Sequence, residues 1–184
     1  LLKQPISDGG YEYKLLKNYQ RERLFVFVNP EGDTYGAGYN LQQAQIAIGS
    51  GGFFGKGLFK GTQINLTYLP EAPTDFIFCV VAEEIGFLGV FVLLMLYMLL
   101  FFICIRIARY SLSLFGTIIV MNICGMWFFQ IFENIGMCLG LMPITGIPLP
   151  FVSFGTSFML VNFTLLGLVY SVWKHNKTPI NEKI

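Results

Sequence analysis

The sequence predicts an all-α polytopic membrane chain, on two observations: an apolar bias too strong for a soluble domain of this size, and three stretches long enough to cross a bilayer. Hydrophobic residues make up 54% of the 184 and charged residues only 12%, where a soluble domain carries about 25% charged residues. The formal net charge of +1 supplies no basic field for a phosphate backbone, so a nucleic-acid binder is excluded. The chain opens Leu1-Leu2-Lys3 without an initiator methionine or a signal-peptide pattern, and is expected to be a piece of a longer protein.

Residues 1–75 read as one large extracytoplasmic loop, because their longest apolar run, Leu24 to Val28, is far too short to span. Within it Leu41, Ala44 and Ile48 recur at helical spacing between glutamines, which predicts an amphipathic helix at the membrane surface. The glycine-rich run Gly49 to Gly61 predicts a tight, irregular loop. Residues 76–184 hold three apolar spans, at about 76–107, 113–142 and 157–174, and a short tail. Between the second and third lies 143–156, where Pro143, Pro148 and Pro150 rule out helix. This segment is still nearly as apolar as a span, so it reads as a re-entrant loop held inside protein. Arg106 and Arg109 follow the first span, and Lys174, Lys177 and Lys183 follow the third, whereas 143–156 has no Lys or Arg. The positive-inside bias of short connections therefore puts the tail in the cytoplasm and both 1–75 and 143–156 outside. The basic residues of the long first loop count for little.

Several motifs are weighed and set aside. Cys79, Cys104, Cys124 and Cys138 lie in apolar stretches without a close cysteine pair, which favours small buried hydrophobes over disulfides or zinc. His175, the only histidine, follows the last span and reads as a tail residue. The run Gly49 to Gly57 lacks the glycine and the Ser or Thr that a phosphate loop needs at Ser50 and Gly57. It reads as a surface turn, or as an anion-contacting turn using Lys56. Ser153 in Phe151-Val152-Ser153-Phe154-Gly155 has no leading glycine and no histidine base, so a serine hydrolase is rejected.

The acidic residues carry more. In Leu69-Pro70-Glu71-Ala72-Pro73-Thr74-Asp75 two prolines impose an extended entry and Thr74 or Asp75 starts a helix. Asp75 then reads either as a helix cap or, at the membrane–water boundary, as a base facing a lipid-linked headgroup. Glu83 and Glu84 lie about two turns below Asp75 on the first span, which places them roughly 12–14 Å deeper. Glu133 would share their level, with no cation of this chain beside them. Their expected partners are a missing helix, a metal ion or a neutralising proton. Gln130 and Glu133 belong to a polar and small-residue stripe that reads as helix–helix packing.

Taken in order, Tyr19-Gln20-Arg21, Gly36-Ala37-Gly38-Tyr39, Ala47-Ile48-Gly49-Ser50-Gly51-Gly52, Gly55-Lys56-Gly57, Gly61-Thr62-Gln63, Leu69-Pro70-Glu71, Thr74-Asp75-Phe76-Ile77-Phe78, Glu83-Glu84-Ile85-Gly86, Asn134-Ile135-Gly136-Met137 and Gly146-Ile147-Pro148-Leu149-Pro150-Phe151-Val152-Ser153 resemble the C-terminal half of the SEDS family of peptidoglycan glycosyltransferases. Gly61-Thr62-Gln63 and the Pro-rich loop are most similar to the elongation, rod-shape branch. The division branch is the nearer competitor. Phe154-Gly155-Thr156-Ser157 departs from the family's usual Tyr-Gly-Gly-Ser, and Lys3 to Tyr13 looks diverged.

The resemblance implies the last three helices of a ten-helix fold in the bacterial inner membrane, preceded by the large outer loop with interfacial helices. It implies polymerisation of lipid II onto a lipid-linked glycan, a class B penicillin-binding protein as partner, and a divalent cation, Mg or Mn, as cofactor. Asp75 matches the family's essential aspartate. Lys56, Gln63, Glu71, Thr74 and Ser153 are weaker substrate-binding candidates, and Glu83, Glu84, Gln130 and Glu133 are intramembrane polar groups. Two rival functions are a flippase for lipid-linked precursors and a non-catalytic scaffold that docks the penicillin-binding protein. The piece by itself is expected to be inactive, since most helices of the bundle lie upstream.

Overall fold

Charge-free apolar runs form helices in a bilayer because every backbone polar group must be satisfied within its own segment. The computed structural model describes residues 3–5, 11–13, 37–62 and 74–176. Within them a short antiparallel ribbon, β1 (Lys3–Pro5) and β2 (Tyr11–Tyr13), pairs Lys3 with Tyr13. Five helices follow: α1 (Ala37–Gly51), α2 (Ile77–Glu84), α3 (Gly86–Arg109), α4 (Leu114–Cys138) and α5 (Thr156–Asn176).

Three of these, α3, α4 and α5, are long and apolar enough to cross a membrane, as the hydropathy predicted. The 24 residues of α3 reach about 36 Å, enough for a hydrocarbon core of about 30 Å. Arg106 and Arg109 close its last turn, where cations complement the helix dipole. Ser113 caps α4 by accepting from the amide of Gly116 at 3.0 Å. The four-residue connection 110–113 makes α3 and α4 antiparallel neighbours. Phe101 meets Phe128 edge to face at 5.9 Å, and the Thr117 hydroxyl donates to the carbonyl of Ala108. α5 joins through Trp127, whose buried indole N–H donates to Oδ1 of Asn162 at 2.7 Å. Replacing Trp127 by Phe removes that bond from a dry interior. It is expected to lower the unfolding free energy by about 1–2 kcal/mol, read as a drop in thermal midpoint in detergent. All four cysteines are free and buried, as expected of small hydrophobes.

The first span differs from the expectation of one helix over about 76–107. The chain breaks at Ile85–Gly86, where Gly86 takes a φ of +75°. The tertiary cause is the glycine turn after α1. Amides of Lys56 and Gly57 donate to the carbonyls of Glu83 and Glu84 at the end of α2, while amides of Phe87 and Leu88 at the start of α3 donate to the carbonyls of Gly52 and Phe53. The turn thus satisfies orphan groups of two helix ends at once. A Cβ on Gly86 would run into the amide nitrogen of Gly55. Gly86→Ala adds left-handed strain to that collision, and is expected to cost at least about 2 kcal/mol, seen in the thermal unfolding of the full-length protein.

The break also reorders the carboxylates. Counting along the α3–α4 pair from Phe101 and Phe128 sets Asn134 level with about Leu94 or Met95. Asn134 holds the backbone of Asp75. Asp75 therefore stands roughly 12 Å inward of Gly86, and α2 climbs from it toward the end of the bundle. Glu83 and Glu84 are not deeper than Asp75, and Glu133 lies near the level of Asp75 instead of theirs. A glycine that turns the chain replaced the straight helix on which the expected depths rested.

The predicted amphipathic helix is α1. Of the predicted face Leu41 and Ala44 are buried and Ile48 is only half-buried, Ala47 is buried beside them, and Gln45 donates to the carbonyl of Leu139 beyond the end of α4. α4 stops at Cys138, short of 142, because Gly140 turns the chain at a φ of +75°.

Candidate active site

Asn134 is the node of the site. It is fully buried one turn before the end of α4, and its amide donates 2.8 Å bonds to the carbonyls of Asp75 and of Ile147. One side chain thereby joins the entry to α2 to the Pro-rich segment after α4. Its own Oδ1 is buried without a partner among the described residues, as is Oε1 of Gln130 one turn earlier.

The Pro-rich segment is locked from several sides. Tyr97 of α3 donates its hydroxyl to the carbonyl of Pro150 at 2.7 Å. Phe151, at a φ of +63°, packs edge to face on Trp127 at 5.2 Å. Trp127 lies eleven residues before the end of α4, so this segment runs back along the bundle by roughly 16 Å. Ser153 is fully buried, and its hydroxyl accepts from the amide of Leu149 at 2.7 Å, which closes the 149–153 turn.

Asp75 is half-buried and its carboxylate has no hydrogen bond or ion pair among the described residues. The capping position of α2 is occupied by Phe76, without a side-chain cap. The capping role that its sequence position allows is therefore not performed, and both carboxylate oxygens are without a hydrogen-bond partner among the described residues. Thr74 beside it is half-buried. Glu133 is 4% exposed, and no described residue pairs with it.

The other carboxylates part company. Glu83 is fully buried at the far end of α2, and its Oε1 accepts from Lys56 Nζ at 2.8 Å and from the amide and the hydroxyl of Thr62, both at 2.7 Å. The expectation that this chain offers Glu83 no cation is corrected. The glycine turn carries Lys56 across 27 positions of sequence to meet it. The amides of Lys56 and Gly57, two that an anion cradle would use, are bound to helix carbonyls. Glu84 is half-buried beside Gly61. Gln63 and Glu71 lie outside the described residues.

Sequence reasoning missed Asn134, Tyr97 and Thr62 as organisers. For Asn134 and Tyr97 the local signal was a lone amide or phenol in an apolar span, and Thr62 had none beyond its place in the glycine-rich turn. A groove of about 680 Å³ between α3 and α5, lined by Leu100, Cys104, Phe163 and Trp173 among others, is apolar and lies toward the basic end of the bundle. It holds no chemistry. No group of three or more His, Cys, Asp or Glu comes together among the described residues.

Comparison with known proteins gives three findings. A family model described as "Cell cycle protein", covering FtsW, RodA and SpoVE, matches residues 11–178. The chain is 45% identical over 163 residues to the peptidoglycan glycosyltransferase MrdB of Escherichia coli K12, covering 89% of this chain and 44% of MrdB. It is 42% identical over 159 residues to the peptidoglycan glycosyltransferase RodA of Treponema pallidum, covering 86% and 37%. Among solved structures, a peptidoglycan synthase complex that coordinates polymerisation and crosslinking aligns at a TM-score of 0.70, with 35% identity over 89% of this chain and 44% of that one. A mutant of the rod shape-determining protein RodA of Thermus thermophilus aligns at 0.57, with 36% identity over 73% and 40%. The chain spans less than half the length of the curated relatives it matches.

Proposed function

The chain belongs to the FtsW, RodA and SpoVE family, and on that premise we propose that the full-length protein polymerises peptidoglycan glycan strands from lipid II with Asp75 as general base. The observation that carries the reading is the unengaged carboxylate of Asp75, held through its backbone by Asn134 at the junction of α2, α4 and the Pro-rich loop. Names of the relatives support the reaction class: MrdB and RodA are both called peptidoglycan glycosyltransferases.

The sugar hydroxyl of one lipid-linked disaccharide gives its proton to Asp75 as its oxygen bonds to the anomeric carbon of the other substrate. The bond from that carbon to the lipid pyrophosphate breaks, and the electron pair leaves with the pyrophosphate. A single displacement of this kind inverts the anomeric centre. Pyrophosphate leaves without prior protonation, so one carboxylate suffices for the proton transfer, typically worth 10²–10⁴-fold. Stabilising the charge on the departing pyrophosphate is assigned to cationic donors or a divalent cation, Mg or Mn, held largely by the upstream half.

For this chemistry Asp75 faces the outer side of the inner membrane and the basic tail faces the cytoplasm. The positions of Arg106, Arg109 and Lys174 at the opposite end of the bundle support that orientation. A class B penicillin-binding protein is the proposed partner, in keeping with the crosslinking half of the aligned synthase complex. The deciding measurement uses full-length protein in proteoliposomes with lipid II supplied only from outside, and reads glycan-chain length on a gel. A ladder of chains is expected. Transbilayer movement of lipid II without chain growth overturns the reading in favour of a flippase.

A further inference from the structure

We propose that Lys56, Thr62 and Glu83 act together as a positioning knot that sets the placement of Asp75 for glycan polymerisation. This rests on the function proposed above. Glu83 has no exposure, and one of its oxygens takes three donors within 2.8 Å: the Lys56 ammonium, the Thr62 amide and the Thr62 hydroxyl. Lys56 also donates to the Thr62 hydroxyl at 2.7 Å, which closes a triangle. Gly61 lies so close to the second Glu83 oxygen that an added Cβ would stand 3.2 Å from it.

Stability alone does not account for such a group. A carboxylate–ammonium pair taken out of water usually gains nothing over apolar residues of the same shape, whereas its directional bonds do fix geometry. The geometry fixed here is that of α2, which has only eight residues and is too short to be stable or placed by its own backbone. Glu83 sits at one end of α2 and Asp75 just before the other, about 12 Å away along roughly two helical turns. Thr62 is held at the Glu83 end of α2, and the described chain resumes at Thr74, beside Asp75 at the other end. The knot therefore anchors the far end of the helix that presents the base. The amides of Lys56 and Gly57 on the last carbonyls of α2 strengthen the same joint.

Full-length protein carries the test, through Lys56→Met, Thr62→Val and Lys56→Arg. Chain-growth kinetics on lipid II are read beside hydrogen exchange of peptides covering residues 52–62, and thermal unfolding excludes variants that fail to fold. Displacing a base by about 1 Å costs up to about 10²-fold. Lys56→Met is expected to lower kcat about 10–100-fold with KM little changed, and to speed exchange across 52–62. Thr62→Val should do the same to a smaller extent, about 3–10-fold, and Lys56→Arg should keep both properties near wild type. Lost activity with unchanged exchange would mean that Lys56 touches substrate directly, and faster exchange with full activity would mean that the knot is only structural. Either result overturns the proposal. If the unmutated protein makes no glycan at all, the functional reading fails instead, while exchange still reports the joint.

Discussion

Asp75→Asn in the full-length protein is expected to reduce glycan polymerisation by about 10²–10⁴-fold, the usual worth of a positioned base. The amide is the same size, and no described residue bonds to the carboxylate that it replaces, so membrane insertion and thermal stability should stay within about 0.5 kcal/mol of wild type. That combination is what separates chemistry from architecture. Had Asp75 been capping α2, the substitution would cost folding free energy instead, but the capping place belongs to Phe76. A mutant that still extends chains at the wild-type rate removes Asp75 from the reaction. A mutant that loses rate and stability together assigns it a structural role. Substrate binding should change little, since the carboxylate acts on a proton already in transfer, so the loss is expected in kcat with KM nearly constant.

What was legible in the sequence divides along physical lines. The three spans were, because hydrophobicity over 20 residues is a property of composition and needs no partner. The face of α1 was, since Leu41 and Ala44 at helical spacing announce the buried side. The break before α3 was not. Ile85 and Gly86 sit inside an apolar run, and a lone glycine there costs a helix only about 1 kcal/mol. Distant groups decide it: the amides of Lys56 and Gly57, and the carbonyls of Gly52 and Phe53. The partner of Glu83 was hidden for the same reason, because no local spacing pairs residues 27 apart. The ribbon Lys3–Tyr13 also went unread, its strands being three residues each with no alternation to mark them. Asp75 was singled out through motif order, and that its side chain does not cap α2 needed coordinates.

Asn134→Leu is expected to be the most damaging single change at a residue that has no part in proton transfer. Its amide satisfies the carbonyls of Asp75 and Ile147, both at 2.8 Å, from a position with no exposure. Leucine has a similar shape but leaves two part-buried acceptors without donors, each costing about 1–3 kcal/mol, so a loss of about 2–6 kcal/mol in unfolding free energy follows. The consequence for function is larger than the loss of two bonds implies, because they run to different elements. With the bridge gone, the entry to α2 and the Pro-rich loop are free to move apart, and Asp75 loses the one side-chain hydrogen bond seen to hold its backbone. Asn134→Gln keeps the donor on a longer arm and serves as the partial-rescue control. Activity per folded molecule should fall by at least about 10-fold for leucine and less for glutamine. If both variants unfold earlier yet polymerise normally while folded, Asn134 supports the bundle without positioning the base.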